Sequence, residues 1–329
     1  RDNEQDFFKT HDLEHFNITF YRESLNEQTV ETLSFDKLDN TSVISVFTTS
    51  NVTAAVISKF KNLRIISTRS TAYDHISQTA ANRRNISIIN VEKYGSSSVA
   101  QYTFGLITAL VRKLLPASKY LKDKKCNENL TGRNLADLTL GVVGTGAIGS
   151  NVCKIGKFFD MNVIAYDIHP KQELINDINI KYVELNDLIK HSDIISLHLP
   201  YTGDNYHMFS EKEFKMMKDG AYFINTSAGE TVDTHALYNA LVIKKLSGIA
   251  LDVLNCEDNN FRCENLVNNN IPLDCVQEEE AVKKLIDMDN AIITPHIAYA
   301  TKDAINYILA ETFKAIRDSI KGRTSNVNY

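Results

Sequence analysis

The sequence predicts two α/β domains, each a doubly wound parallel sheet, on three observations. At 329 residues the chain is long for one domain and comfortable for two. Short apolar, β-branched runs alternate with segments of helical periodicity through both halves. Near the middle, a strand-like run leads into a glycine-rich turn and then a helix, Gly144-Thr145-Gly146-Ala147-Ile148-Gly149.

The first series has strands predicted over 42–47 (SVISVF), 62–67 (NLRIIS) and 86–91 (ISIINV), with helical segments between them. The chain opens on Arg1 in a polar stretch that enters a helix, and an α/β unit normally opens on a strand, so a preceding strand is expected. A long helix is predicted over 96–120, because Val99, Tyr102, Leu106, Leu110 and Leu114 recur at helical spacing after three serines able to cap it; Pro116 lies near its end. The polar stretch 122–137 reads as a boundary. The second series has strands predicted over 139–143, 162–166, 194–199, 221–225, 248–253 and 291–294, enough for a full doubly wound sheet. Residues 255–284, rich in Asn, Asp and Glu, interrupt it as a surface excursion ending in a helix. An amphipathic helix over 302–320, capped by Thr301, closes the pattern.

Composition excludes several classes. A hydrophobic share of 43% is ample for ordinary cores, while a net charge of -5 argues against a nucleic-acid partner. Lys122, Lys124 and Lys125, and the pair Arg83/Arg84, read as solvated surface. No apolar run is long enough to span a bilayer, and the N-terminus has no signal-peptide core, so a cytoplasmic protein is expected. Cys126, Cys153, Cys256, Cys263 and Cys275 form no Cys-x-x-Cys pair and read as reduced thiols; a metal site from Cys256, Cys263 and Cys275 would match no standard zinc spacing.

The glycine turn is the strongest local signal. Gly144 makes the tight turn, Gly146 lets the backbone approach a pyrophosphate, and Gly149 lets helix pack on strand. The pyrophosphate then sits on amides at the helix N-terminus, Ala147 and Ile148 included. A second strand ends at Asp167, whose carboxylate can accept from ribose hydroxyls and would repel a 2′-phosphate, which favours NAD over NADP. Late in the chain His296, in ITPHIAYAT, follows an apolar strand, where doubly wound sheets bind ligands, and a histidine suits proton transfer at neutral pH. Asp252 ends the run GIALDV and Glu257 follows; a carboxylate bonded to His296 would orient the ring and raise its pKa. A surface acid in a polar loop is the other reading of Glu257.

Taken together, ISTRSTAYDHI (66–76), SSSVAQYTF (96–104), GVVGTGAIG, HSDIISLHLP (191–200), INTSAGETVDTHAL (224–237), GIALDVL and ITPHIAYAT resemble the D-isomer-specific 2-hydroxyacid dehydrogenases, most of all the D-lactate dehydrogenases, including the type associated with vancomycin resistance. The resemblance implies a discontinuous, flavodoxin-like substrate domain over 1–98 and 298–329. It implies a Rossmann NAD domain over 99–297, an active site in the cleft between the two, and a homodimer. It implies that His296 is the acid/base and Glu257 its partner, and that Thr71, Ala72 and Tyr73 form the loop holding the substrate carboxylate. Tyr102 and Tyr299 would line the pocket, and His198, Pro200, Thr226, Ser227 and Asp252 would touch the nicotinamide half of NAD.

Two departures stand out. Ala72 occupies a family glycine. Ala228 stands where the family pattern has the arginine that grips the substrate carboxylate and carbonyl, and no neighbour supplies one. This is either an engineered replacement, the reading favoured by the intact positions around it, or a natural alteration. The expected function is NAD-dependent reduction of a pyruvate-like 2-oxo acid to the D-2-hydroxy acid, attenuated by Ala228. The alternative is an NAD-binding sensor resembling the corepressors of this family, with little catalysis.

Overall fold

The computed structural model describes residue 7 and residues 16–71, 73, 75–91, 95–123, 130–257, 273–321 and 327–328. The chain separates into two compact units, Arg1–Gly95 with Ala300–Tyr329, and Ser96–Tyr299. Its strands are β1 (Val43–Val46), β2 (Ile65–Thr68), β3 (Ser87–Ile89), β4 (Thr139–Val143), β5 (Asn162–Tyr166), β6 (Lys181–Tyr182), β7 (Ile194–Leu197), β8 (Ala221–Asn225), β9 (Leu246–Leu251), β10 (Ala291–Ile293) and β11 (Val327–Asn328).

In the first unit the sheet runs β1-β2-β3-β11, parallel except for β11, which lies antiparallel on β3. Thr53 starts the helix Ala54–Lys59 by accepting the Val56 N–H at 3.3 Å. That helix turns Val56 and Ile57 into a core with Ile44, Val46, Phe60 and Ile66. Arg84 corrects one expectation. Although exposed, its guanidinium donates to the carbonyls of Ile57, Phe60 and Lys61 at 2.5, 2.6 and 3.1 Å. Those carbonyls lie where a helix end leaves acceptors unsatisfied, so Arg84 caps it rather than only facing solvent. The helix Lys302–Ile320 belongs to this unit; Thr301 caps it by accepting the Ala304 N–H at 3.1 Å.

The second unit is a seven-stranded, all-parallel sheet in the order β10-β9-β8-β7-β4-β5-β6. Its strands alternate between two cores. Ile195, Leu197, Phe223, Ile249 and Leu251 face one side, where Phe209 and Phe214 pack on Phe223. Leu140, Val142, Ile194, Ile224 and Ala250 face the other, under Phe104 and Ile107 of the helix Ser96–Val111. Burial on both faces explains why β7 and β8 are mostly apolar and buried at every position. Each such side chain stabilises the fold by about 1.5–3 kcal/mol relative to exposure.

The helix predicted over 96–120 is two helices, Ser96–Val111 and Leu114–Asp123, broken at Lys113, which adopts a left-handed φ of 53°. Pro116 is the reason. It lacks an N–H and its ring would clash with the carbonyl of residue 112 in a continuous helix, but it is tolerated in the first turn of a new one. The two-residue β6 and the two-residue β11 were not foreseen.

One expectation about the cysteines is overturned. Cys256 and Cys275 form a disulfide, with Cα atoms 5.6 Å apart and a sequence separation of 19. The spacing alone cannot show that the fold returns the helix Leu273–Ile286 to residue 256. Cys153 is a free, buried thiol, pushed up to about 12 by burial. Cys126 and Cys263 lie outside the described residues, as does Ala72. Among the described residues no group of three His, Cys, Asp or Glu side chains could hold a metal ion, and no helix is long and apolar enough to cross a membrane.

Candidate active site

Because every strand pair in the second sheet is parallel, the carboxyl ends of all its strands share one edge. The order reverses between β4 and β7, and outside that switch point such sheets bind ligands. The glycine turn leaves β4 there. Gly144 has φ 90°, and a Cβ on it would press on the His198 carbonyl, 2.6 Å away. A Cβ on Gly149 would collide with the Gly144 carbonyl. Gly146 differs: a Cβ there would meet nothing within 4 Å. Packing demands the first and third glycines, while the space over the second is what a pyrophosphate needs. Gly146 is the N-cap of the helix Ala147–Phe158, so that space lies beside free amides, including those of Ala147 and Ile148. These residues fit a dinucleotide.

Asp167 follows β5. Its Oδ2 accepts from the Thr145 N–H at 2.5 Å and the Thr145 hydroxyl at 2.9 Å, and its Oδ1 from the His169 N–H at 2.8 Å. Burial works to raise its pKa, but these hydrogen bonds outweigh it and hold the carboxyl below its ordinary value. A fixed anion therefore stands about 20 residues beyond the glycine turn. His198, beyond β7, is buried and bonded through Nε2 to Ser196 Oγ at 2.8 Å; its buried Nδ1 has no hydrogen-bond partner among the described residues. Burial drives its pKa down to about 3, so the ring is neutral. Pro200 is exposed, its carbonyl accepting from Asn205 at 2.9 Å.

The turn after β8 is organised by Asn225. Its Oδ1 accepts from the N–H and hydroxyl of Ser227 at 3.0 and 2.9 Å, and its Nδ2 donates to the Ala228 carbonyl at 2.8 Å. Thr231 donates to the same carbonyl at 2.7 Å. Thr226 shares a buried 2.9 Å hydroxyl contact with Thr103 of the helix Ser96–Val111. Ala228 itself is extended, at φ -149°, and half-buried. Beside it, a Cβ on Gly229 would collide with the backbone of Leu254 and Asn255. This close approach seats the turn against the segment carrying Glu257.

The Glu257 carboxylate is braced at both oxygens. Oε1 accepts the Leu254 N–H at 3.0 Å, and Oε2 lies 2.7 Å from His296 Nδ1. The backbone of His296 is left-handed, at φ 52°, a conformation a non-glycine residue keeps only when its surroundings hold it. Asp252 supplies the hold. It is 1% exposed and accepts from the Thr294 hydroxyl at 2.6 Å and from the N–H groups of Ile297 and Ala298 at 3.0 and 2.8 Å, gripping both sides of His296. Burial, only partly offset by these bonds, raises the Asp252 pKa. Burial lowers that of His296, yet the hydrogen bond and charge of Glu257, with the charges of Asp252 and Glu230, outweigh it and leave the ring above its ordinary value. The Tyr299 ring stands edge-on to His296, centroids 6.4 Å apart. Tyr102 packs against the core of the second unit.

Thr71 and Tyr73 lie in the first unit, just after β2. Thr71 donates to the Val91 carbonyl at 3.1 Å and its own carbonyl accepts from Asn90 at 2.9 Å. Tyr73 is partly buried against that unit's core. Sequence reasoning did not single out Asn225, Thr103, Gly229 or Thr294. Asn225 carried a signal, a polar side chain ending an apolar strand; the others depend on contacts between distant segments.

Residues 104–298 match the family described as D-isomer specific 2-hydroxyacid dehydrogenase, NAD binding domain. The chain belongs to that family. A D-specific alpha-keto acid dehydrogenase of Enterococcus faecium is 37% identical over 282 residues, covering 84% of this chain and 82% of the relative. A 2-hydroxyacid dehydrogenase homolog of Zymomonas mobilis is 32% identical over 316 residues, covering 94% and 92%. Among solved structures, D-lactate dehydrogenase from Aquifex aeolicus, complexed with NAD and lactic acid, superposes with a TM-score of 0.82 at 34% identity, covering 97% of this chain and 91% of that one. This 2-hydroxyacid dehydrogenase family member thus carries an NAD-binding domain on a Rossmann sheet.

Proposed function

We propose that this chain reduces a 2-oxo acid such as pyruvate to the D-2-hydroxy acid, as a D-lactate dehydrogenase does, with turnover attenuated by Ala228. The observation that carries the reading is the 2.7 Å pair of His296 and Glu257 at the carboxyl edge of the sheet that bears the glycine turn. NADH, when bound, supplies the hydride. The glycine turn and Asp167 would hold the adenosine side, and His198, Pro200, Thr226 and Ser227 would flank the nicotinamide side. With Nδ1 committed to Glu257, His296 exchanges its proton through Nε2. The protonated ring can give that proton to the carbonyl oxygen of a bound 2-oxo acid, and it becomes neutral in doing so. Glu257 orients the ring and stabilises its charge, while Asp252 holds the loop in place.

The remaining roles rest on the family resemblance. Thr71, Ala72 and Tyr73 bind the substrate carboxylate, Tyr102 and Tyr299 bound its side chain, and residues 1–98 with 298–329 serve as the substrate domain and 99–297 as the NAD domain. The protein is a cytoplasmic homodimer. Without an arginine at 228, the carbonyl loses a donor that would polarise it as charge develops.

The second reading, an NAD-binding sensor, is favoured by Ala228 alone. NADH oxidation against a panel of 2-oxo acids, with chiral analysis of the product, separates the two. The dehydrogenase reading predicts slow, substrate-dependent formation of the D-hydroxy acid. NADH binding with no turnover on any 2-oxo acid would favour the sensor.

A further inference from the structure

The bond between Cys256 and Cys275 lies outside the chemistry above, yet Cys256 is the residue before Glu257. Cys256 adopts a left-handed backbone, φ 56°, uncommon for a residue with a Cβ. Its side chain is bonded to Cys275, the third residue of the helix Leu273–Ile286. That helix is firmly seated: Ala281, Val282 and Leu285 are buried, the last two within the main core of the second unit. The disulfide thus ties the backbone one residue from Glu257 to a core-anchored helix. On the Glu257 side, the described hydrogen bonds are the one from Leu254 and the pair with His296.

From this juxtaposition we infer that the Cys256–Cys275 disulfide positions Glu257 against His296, and that its reduction is a redox switch on the proton-donating pair. Cys256 and Cys275 are positioning residues, acting through Glu257. The inference rests on the functional reading above, including a cytoplasmic setting, where persistent structural disulfides are rare and those that form are mostly redox-sensing or catalytic. The chemistry is thiol–disulfide exchange. A dithiol donates two electrons, the Cys256–Cys275 bond breaks to give two thiols, and the dithiol closes to its own disulfide; an oxidised disulfide donor reverses the step. Cys153 takes no part, since its buried thiol, pushed up to about 12, holds little reactive thiolate.

The test compares the full chain before and after treatment with dithiothreitol, and after reoxidation with oxidised glutathione. Thiol titration should rise by at least two on reduction, and by two fewer in Cys275→Ser. The His296 ring, followed by NMR across pH, should titrate at lower pH in the reduced protein, because Glu257 no longer dwells beside it. Turnover of a 2-oxo acid should fall by about tenfold, a part of the ~10²–10⁴ that a positioned acid contributes. NADH affinity should hold, and reoxidation should restore all three. Cys275→Ser should behave as the reduced protein and ignore the reductant. An unchanged thiol count, or a His296 titration identical in both states, would overturn the inference. Loss of NADH binding on reduction would also overturn it, marking the bond as a general staple. The NMR titration needs no turnover: if His296 shifts while no 2-oxo acid is reduced in any state, the dehydrogenase reading fails and the switch stands.

Discussion

An arginine introduced at position 228 should raise turnover of a 2-oxo acid by this chain. The site can receive it. Residue 228 is extended, so a longer side chain brings no backbone penalty, and its carbonyl is already fixed by Asn225 and Thr231. The guanidinium would offer parallel donors to the carboxylate and carbonyl oxygens of a 2-oxo acid. Losing one partner of a buried charge pair costs on the order of 2–5 kcal/mol, and because Ala228 is only half-buried the lower end applies. At about 1.4 kcal/mol per factor of ten, Ala228→Arg should raise kcat/KM for pyruvate or a close relative by at least about 30-fold. The assay is steady-state NADH oxidation by the two proteins side by side, with NADH affinity as the control. An arginine variant that binds NADH equally and gains nothing on any 2-oxo acid would refute the reasoning and advance the sensor.

Glu257→Gln removes the charge that raises the His296 pKa, so the loss of reductase activity with rising pH should move to lower pH; an unchanged profile removes Glu257 from the mechanism. The same sign governs stability. His296, raised in the folded state, contributes stability that is present below its unfolded pKa and lost as pH rises through the folded value, and Glu257→Gln should flatten that slope in pH-dependent unfolding. Asp167→Ala should relax discrimination against NADPH by removing an anion that opposes a 2′-phosphate, and equal NADH and NADPH affinities in the unmodified chain would contradict that role. Gly229→Ala drives a Cβ into the backbone of Leu254 and Asn255; it should cost about 1–3 kcal/mol and lower the Tm, and a Tm equal to that of the parent would show that this approach is not tight.

Long-range periodicity was legible where burial imposes it. The runs 139–143, 162–166 and 221–225 are strands over those same residues, because strands covered on both faces are mostly apolar. The helix Lys302–Ile320 and its Thr301 cap were equally plain, since both signals are local. Two-residue strands such as β6 carry too few side chains for a pattern, and β11 pairs with a strand far away in sequence. The break at Lys113 was masked by Leu114, which continues the helical spacing across it. At the site, residue types alone pointed to an acid near His296, and only the family resemblance named Glu257 as its partner. Glu257 takes the ring, while Asp252, one residue past β9, grips the backbone on either side. That division, like the return of Cys275 to Cys256, is set by loop geometry that no short window of sequence contains.

His296 is the proton donor in the proposed reduction. The direct measurement is pyruvate-dependent NADH oxidation by the chain and by His296→Asn, with NADH binding titrated in parallel. Turnover should fall by at least about a hundredfold, the lower bound of what a positioned acid contributes, while NADH affinity is unchanged. A His296→Asn protein that reduces 2-oxo acids as fast as its parent, with the same affinity for NADH, would contradict the account.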